Sequence, residues 1–134
     1  MKRTFLAVLG AALVTAGCSD PLPPTTPTPA VPTRTDTFSD TLLQLGANTH
    51  SFTVIEYGGV KVTLNSLEPG AVVGLGIGTP SFGSCSVADK VEAVAGAAVQ
   101  LSGTATVPGL FCVTIFDVGN VVEPTAYTIT VLHS

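Results

Sequence analysis

Tryptophan is absent from this 134-residue sequence, and only six phenylalanines and two tyrosines supply aromatic side chains. Valine, threonine, leucine and glycine are abundant instead, a composition that favours strands over helices. Beyond the amino-terminal segment of residues 1–17, which we call the leader, no apolar run approaches the ~20 residues that a membrane-spanning helix needs. The apolar residues of the remaining chain are therefore expected to form a single hydrophobic core.

Positively charged residues are also scarce, with five lysines and arginines against nine aspartates and glutamates. Two of the five, Lys2 and Arg3, belong to the leader. Without them, Arg34, Lys61 and Lys90 remain against the nine acids, and the net charge is −6. Because nucleic-acid backbones are bound by clustered lysines and arginines, we expect no nucleic-acid partner.

The leader has the layout of an export signal. Its two cations precede an apolar core of about ten residues, 5–14, which is too short to span a membrane. Small residues and a cysteine follow in the run VTAGC, residues 14–18. This arrangement resembles a bacterial lipoprotein signal peptide. The alternative is an ordinary secretory signal with an accidental Cys18.

The resemblance implies that residues 1–17 are a signal peptide and that the Cys18 sulfur carries a diacylglycerol group. Two or more lipid chains provide stable anchoring, so the membrane is an expected partner. Ser19 stands where many inner-membrane lipoproteins have aspartate. This position implies an outer-membrane lipoprotein that faces the periplasm or the cell surface.

Residues 18–35 are expected to be the lipidated cysteine and a linker. The stretch DPLPPTTPTPAVPTRT, residues 20–35, contains six prolines and no aromatic residue, so it cannot bury enough surface to fold. Proline favours the polyproline II conformation at ~3.1 Å per residue, and these residues can extend about 50 Å. The folded domain is expected to span residues 36–134.

Two further cysteines, Cys85 and Cys112, lie in this domain. In an exported chain they are expected to form one disulfide. The closed loop of about 28 residues would contribute roughly 3 to 4 kcal/mol to stability on the chain-entropy model. Two free thiols or a metal site are the alternatives, but no histidine lies close enough in sequence to suggest a cysteine–histidine metal cluster.

Short alternating segments separated by glycine and proline predict an all-β fold, a single antiparallel β-sandwich. Seven strands are predicted, at residues 37–43, 51–56, 60–67, 71–77, from 99 onward, 111–118 and 126–133. Residues 91–98 could form a helical turn or a strand. Gly74 and Gly76 leave one face of their strand bare, which indicates close backbone approach or a bulge.

Several turns are predicted between these segments. Gly58 and Gly59 suit a two-residue hairpin turn, and the sequence Glu68-Pro69-Gly70 suits a type II turn. Further turns are expected at residues 108–109 and 119–120, and residues 79–90 are expected to form a long loop that carries Cys85. Since alternation turns Cys112 away from the core, the disulfide is expected on the outer face or edge of its strand.

Three stretches, TFSDTLLQLGANTHSFTV, PGLFCVTIFDVGN and AYTITVLHS, are similar to the bacterial pre-peptidase C-terminal domain. The resemblance spans roughly residues 35–134. It implies a jelly-roll-like or immunoglobulin-like sandwich of seven to nine strands, a module that is appended to secreted proteases and other exported proteins and is normally non-catalytic. The cysteine pair departs from the family pattern, and we expect the module to stand alone on its anchor.

Some members of that family bind calcium through acidic residues near strand ends. The nearest candidates here are Asp36, Asp40, Asp117, Asn120 and Glu123. No dense carboxylate loop of the D-x-D-x-D kind is present, so we expect no metal or other cofactor, with calcium as the alternative.

The two histidines offer little support for catalysis. His50 is expected to have a structural or solvent-exposed role at the start of its strand. In the last strand, Tyr127, Ile129 and Val131 are expected to face inward, and His133 is expected at the surface, on the face opposite Tyr127 and Val131. A serine triad would then lack its base. No G-x-S-x-G motif surrounds the serines of the predicted loop, Ser81, Ser84 and Ser86.

Two acids and two aromatic residues remain as candidates. Glu56 and Asp117 each close a strand, and we interpret them as solvated strand ends and not as an acid–base pair. Phe82 and Phe116 could anchor a sugar or a protein if they are exposed. The preferred interpretation is that residues 91–98 or the loop cover both rings.

Together these features predict a non-catalytic, membrane-anchored lipoprotein of the cell envelope. Its β-sandwich would act as a binding or accessory module that uses loops at one end to contact an envelope protein or polysaccharide. The alternative is a passive structural subunit of an envelope complex with no ligand of its own. The shortage of histidine and the absent nucleophile motif oppose an enzyme.

Overall fold

The computed structural model describes residue 17 and residues 21–29 and 31–134. The predicted lipidation site, Cys18, lies outside these residues, as does nearly all of the predicted signal peptide. Residues 21–29 and 31–33 have no regular secondary structure. Within the described part of the chain, no helix is long and apolar enough to cross a membrane.

Eight β-strands make up the fold from Arg34 onward. They are β1 (Arg34–Leu42), β2 (Ala47–Val54), β3 (Gly58–Glu68), β4 (Val73–Ser81), β5 (Ser84–Ala93), β6 (Leu101–Ala105), β7 (Gly109–Asp117) and β8 (Thr125–His133). They form two four-stranded antiparallel sheets, in the orders β1-β8-β3-β6 and β2-β7-β4-β5. The predicted antiparallel β-sandwich is confirmed.

The strand order is that of a jelly roll. The pairs β1/β8, β2/β7, β3/β6 and β4/β5 are those of one long hairpin rolled into two sheets, and only β4 and β5 are consecutive partners. An immunoglobulin sandwich instead pairs several consecutive strands. Of the two sandwich types that the sequence left open, the topology matches the jelly roll.

The core lies between the sheets and follows the expected alternation. In β8, Tyr127, Ile129 and Val131 are buried, and Val60 and Val62 of the neighbouring strand β3 are buried on the same face of the sheet. The intervening residues of both strands are exposed or partly exposed. One face of each sheet therefore packs in the core while the other meets solvent.

Strand directions give the sandwich two ends. At the linker end the chain enters β1, and the connections at residues 55–57, 82–83 and 106–108 lie there. Thr33 donates a backbone hydrogen bond to His133 (3.0 Å), which joins the end of the linker to the last strand. The distal end, at the opposite side, carries the loops at residues 43–46, 69–72, 94–100 and 118–124.

Two predicted turns are wrong because the strand partners are distant in sequence. Gly58 and Gly59 are the first residues of β3, and β2 and β3 belong to opposite sheets, so no hairpin joins them. Gly70 does not adopt the positive φ that a type II turn requires at this position. Both connections cross from one sheet to the other.

The predicted long loop at residues 79–90 is also wrong. This segment completes β4 and begins β5, and a two-residue turn of Phe82 and Gly83 joins them, with φ angles of 47° and 79°. Positive φ at both positions is typical of a type I′ hairpin turn. Of the undecided residues 91–98, the first three continue β5 and the rest are irregular.

Gly74 and Gly76 of β4 leave room for side chains of the neighbouring strands, and a bulge follows them at the next residues of the strand pair. On the outer face, a Cβ at Gly74 would overlap the Phe116 ring, and one at Gly76 would lie 3.0 Å from Thr114 Cγ2. The pairing with β5 then shifts by one residue between Ile77 and Gly78, so that one residue of β5 is extra. A bulge of this kind changes which face the following side chains occupy.

The predicted disulfide is confirmed between Cys85 and Cys112, whose Cα atoms are 5.8 Å apart. It joins edge strand β5 to β7 across the intervening strand β4. Cys112 points away from the core face that Val113 occupies, and the bulge turns Cys85 to the same outer face. The bridge therefore lies outside the sandwich core, as the alternation predicted.

Candidate functional site at the distal loops

The four loops of the distal end expose a cluster of aliphatic side chains, which we call the distal apolar patch. Its members are Leu43, Leu45, Val72, Val94, Val99 and Val122. Each of the four loops contributes at least one of them. The loops contain no lysine or arginine and only one acid, Glu123.

Asp117, the last residue of β7, holds two of these loops together. Its Oδ2 accepts a hydrogen bond from the Leu45 backbone N–H (2.9 Å), while its Oδ1 accepts from Gly119, Asn120 and Val121 (2.8, 2.8 and 3.0 Å). These bonds, that from Leu45 foremost and that from Val121 next, lower the pKa of Asp117 to about 2. The carboxylate therefore fixes the backbone of both loops.

Side-chain amides attach the other two loops. Asn120 Nδ2 donates to the Val72 carbonyl (3.1 Å), which ties the loop after β7 to the loop after β3. Gln100 Nε2 donates to the carbonyls of Leu64 and Val94 (3.2 Å each), and its Oε1 accepts the Leu64 N–H (2.8 Å). All four loops are therefore held in place by hydrogen bonds within the domain.

Leu45 occupies an unusual conformation at the tip of the first of these loops. Its φ angle is 55°, in the left-handed region, and the side chain is 84% exposed. Glycine and asparagine are the residues that usually adopt this conformation, whereas a bulky side chain is strained there. Leu45 thus costs the fold stability and buries little in return.

Four of the five residues proposed for calcium have side-chain partners within the protein. Asp117 and Asn120 brace the distal loops, and Asp40 accepts the Thr41 N–H (2.7 Å). Glu123 is the fourth candidate, and its backbone carbonyl accepts the Thr125 hydroxyl (2.8 Å). In the described part of the chain, no group of three or more histidine, cysteine or acidic side chains is placed to hold a metal ion.

The fifth calcium candidate, Asp36, pairs with His133. The predicted surface position of His133 is wrong: the residue is 1% exposed, because strand alternation places it on the inward face with Tyr127. Its Nε2 lies 2.9 Å from Asp36 Oδ2, and its Nδ1 lies 3.1 Å from the backbone oxygen of Ser134. Both ring nitrogens are engaged, so neither faces a serine hydroxyl as a triad requires.

His50 belongs to a second polar cluster, at the edge where β1 and β2 meet. Asn48 Nδ2 donates to the Tyr127 hydroxyl (3.0 Å), which lies 2.7 Å from His50 Nε2, and the imidazole stacks on Phe38 with ring centroids 4.7 Å apart. Burial lowers the pKa of His50, an effect that the Asp40 charge partly offsets. A neutral imidazole that accepts a hydrogen bond from the Tyr127 hydroxyl fits this arrangement, which joins the two sheets.

The remaining candidates are dispersed. Glu56 lies at the linker end and Asp117 at the distal end, so they form no carboxylate pair. Phe116 is partly buried against Gly74, whereas Phe82 is fully exposed, and the interpretation that a neighbouring segment covers Phe82 is wrong. The serines of residues 81–86 lie in the β4–β5 hairpin, where the Ser84 hydroxyl donates to the Ser81 carbonyl (2.9 Å).

A cavity of about 210 Å³ opens between the sheets beside edge strands β5 and β6. Its lining is mostly apolar, with Val60, Ile77 and Phe111 from three strands, and Asp89 is its one charged residue. This volume is below the ~300 Å³ at which small-molecule sites usually begin. A charged residue on an edge strand also discourages edge-to-edge pairing. The distal loops are therefore the stronger candidate site.

The sequence-based reasoning treated Asp117 as a possible metal ligand or a solvated strand end and missed its bracing role. The signal was present, because an aspartate followed by Gly119 and Asn120 is a common turn pattern in which the carboxylate accepts backbone N–H groups. Leu45 gave no comparable signal, since its conformation depends on the bond to Asp117 from a distant strand.

No model of a known protein family matches the chain, and no curated protein matches it at a significant level.

Proposed function

We propose that this protein is a non-catalytic lipoprotein of the cell envelope whose jelly-roll domain binds a protein partner through the distal apolar patch. The observation that carries the proposal is Leu45, a large apolar side chain that is exposed and held in a strained conformation at the tip of a braced loop. The Leu45 backbone serves the fold through its bond to Asp117, but the exposed side chain adds almost no burial, so a contact outside the domain accounts for a leucine here.

The chemistry of the patch favours a protein over a polysaccharide. Its exposed large side chains are leucine and valine, and its four loops contain no aromatic residue on which a sugar ring could stack. Exposed apolar side chains that are grouped at one end of a folded domain are typical of protein interaction sites. Rigid loops also lower the entropy cost of binding.

The charged residues near the distal apolar patch indicate which kind of protein surface would bind there. Glu68, Glu92 and Glu123 are exposed acids at or beside the distal end, and its loops contain no cation. We infer a partner that presents apolar side chains within a basic rim. Complementary charges at the rim speed association and exclude wrong partners more than they add affinity.

Anchoring is part of the same proposal. The basic start, the short apolar core and the VTAGC run support lipidation of Cys18, and the proline-rich linker supports a domain held at a distance from the bilayer. We also propose that the domain belongs with the pre-peptidase C-terminal modules, an assignment that the jelly-roll strand order supports.

Two variants of the full chain test the two halves of this proposal. Cys18→Ser should move the protein from the membrane fraction to the soluble fraction, and a variant that stays membrane-bound would show that the anchor is not a lipid on this residue.

Leu45→Asn should abolish copurification of the partner from detergent-solubilised membranes while leaving the domain folded. A complex of fixed stoichiometry that survives Leu45→Asn would favour the passive structural subunit.

A further inference from the structure

The linker end has an apolar surface of its own. Each of its three connections exposes one large apolar side chain, Ile55, Phe82 or Val107. The only charged residue in the three connections is Glu56. The most exposed of these side chains is Phe82, at the tip of the β4–β5 hairpin, where the ring has no cover from the rest of the domain.

The conformation of Phe82 shows that the fold alone does not account for it. With φ of 47°, it occupies the first position of a two-residue turn that asparagine usually fills. A bulky residue in this region is strained, and an exposed phenylalanine contributes no burial. Both the strain and the exposed ring are unfavourable for the isolated domain, so the residue indicates a contact with something outside it.

We propose that the Phe82 hairpin tip inserts into the surface of the lipid bilayer, an inference that rests on the proposed anchoring through Cys18. The linker joins β1 at the same end of the sandwich as Phe82, so the anchor directs this end toward the bilayer. The linker also confines the domain within about 50 Å of the membrane. Such confinement raises the effective concentration enough for a weak apolar contact to form.

Apolar insertion, and not charge, is the basis of the contact. Apart from the leader, the chain carries three cations against nine acids, so anionic headgroups would repel it. The Ser81, Gly83 and Ser84 neighbours of Phe82 are small and uncharged, which lets the ring approach the headgroup region. Phenylalanine is one of the apolar side chains by which peripheral segments insert into the boundary between headgroups and acyl chains.

Tryptophan fluorescence tests the contact directly, because the chain has no tryptophan of its own. The lipidated full chain carrying Phe82→Trp would be reconstituted into phosphatidylcholine vesicles, with Leu45→Trp at the distal end as the matched control. Phosphatidylcholine brominated on its acyl chains would quench any indole that enters the bilayer. We expect several-fold stronger quenching and a blue-shifted emission for Phe82→Trp relative to Leu45→Trp.

Sedimentation of the same vesicles separates the two hypotheses. Protein that fails to sediment would contradict the anchor and, with it, the contact. Protein that sediments but shows equally weak quenching for Phe82→Trp and Leu45→Trp would overturn the bilayer contact of Phe82 and leave the lipid anchor intact. Val107→Trp, on a neighbouring connection at the same end, provides a second reporter and should be quenched more than Leu45→Trp.

Discussion

Leu45 and Phe82 are the two non-glycine residues with positive φ in the described part of the chain. Both are large and apolar, both are exposed, and they lie at opposite ends of the sandwich. At each position the backbone geometry favours glycine or asparagine. Residues that violate a local rule without a gain in packing are where contacts outside the fold should be sought.

Replacing Phe82 with asparagine should make the isolated domain more stable. Asparagine tolerates the left-handed conformation, so the free energy of unfolding should rise by about 1 kcal/mol, equivalent to a melting temperature several degrees higher. Thermal unfolding followed by circular dichroism measures the change. Phe82→Val is the control, because a β-branched residue is strained further and should lower the melting temperature. An unchanged or lower value for Phe82→Asn would mean that the turn stores no strain.

Asp117 should make the domain sensitive to acid. Its pKa is about 2 in the folded state against 3.8 ordinarily. Between those values the unfolded chain binds more protons, so the stability from Asp117 is present above pH 3.8 and is lost as the pH falls toward about 2.

The Asp117→Asn variant isolates this contribution. Asparagine cannot ionise, so the variant should be less stable at neutral pH and should lose less stability on acidification. Urea unfolding midpoints measured from neutral pH down to about 2 give both quantities. Asp89→Asn, at an exposed carboxylate whose hydrogen bond is to the next residue only, is the matched control. Parallel curves for Asp117→Asn and the unmodified domain would contradict the bracing role.

At the scale of elements, the outer face of β4 depends on its glycines. The Phe116 ring lies where a Gly74 side chain would be, so Gly74→Ala should destabilise the domain by about 1–3 kcal/mol through overpacking. In a Phe116→Ala background the same change should cost much less, because the space is then empty. A double-mutant cycle of chemical unfolding measures this coupling. Equal costs in both backgrounds would show that the two residues do not compete for space.

The disulfide stabilises the same sheet by joining β5 to β7. Replacing both Cys85 and Cys112 with alanine should lower the free energy of unfolding by roughly 3 kcal/mol, since the bond closes a separation of 27 residues. Thermal unfolding of the unmodified domain in a reducing agent should give a similar loss. A melting temperature that neither treatment changes would mean that the bond contributes little to stability.

The elements that could be predicted are those that depend on local pattern. Alternation correctly placed Tyr127, Ile129 and Val131 in the core and Cys112 on the outer face. The predicted hairpin turn at Gly58 and Gly59 was wrong because β2 pairs with β7, about sixty residues away in sequence. Local turn preference carries no information about such distant strand partners. The surface position predicted for His133 was wrong for another reason. Counting in steps of two along β8 places His133 on the buried face of Tyr127 and Val131, but the prediction assigned it to the opposite face.

At the scale of the whole molecule, the jelly-roll domain exposes apolar side chains at both of its ends. The linker enters at one end, where Phe82 is exposed, and the braced loops with Leu45 lie at the other. The sequence predicted contact through loops at one end, but it did not indicate which loops, because their grouping follows from the jelly-roll strand order. In the proposed arrangement the linker end faces the bilayer and the distal end faces the partner.

Site-specific photo-crosslinking in intact cells tests the partner interaction most directly. A benzophenone amino acid would replace Leu45 or Val122 in the distal apolar patch, and Lys61 on the exposed face of β3 would serve as the control position. The proposal predicts that the same protein is captured from Leu45 and Val122 and not from Lys61. No captured protein at either patch position, or equal capture from Lys61, would contradict it.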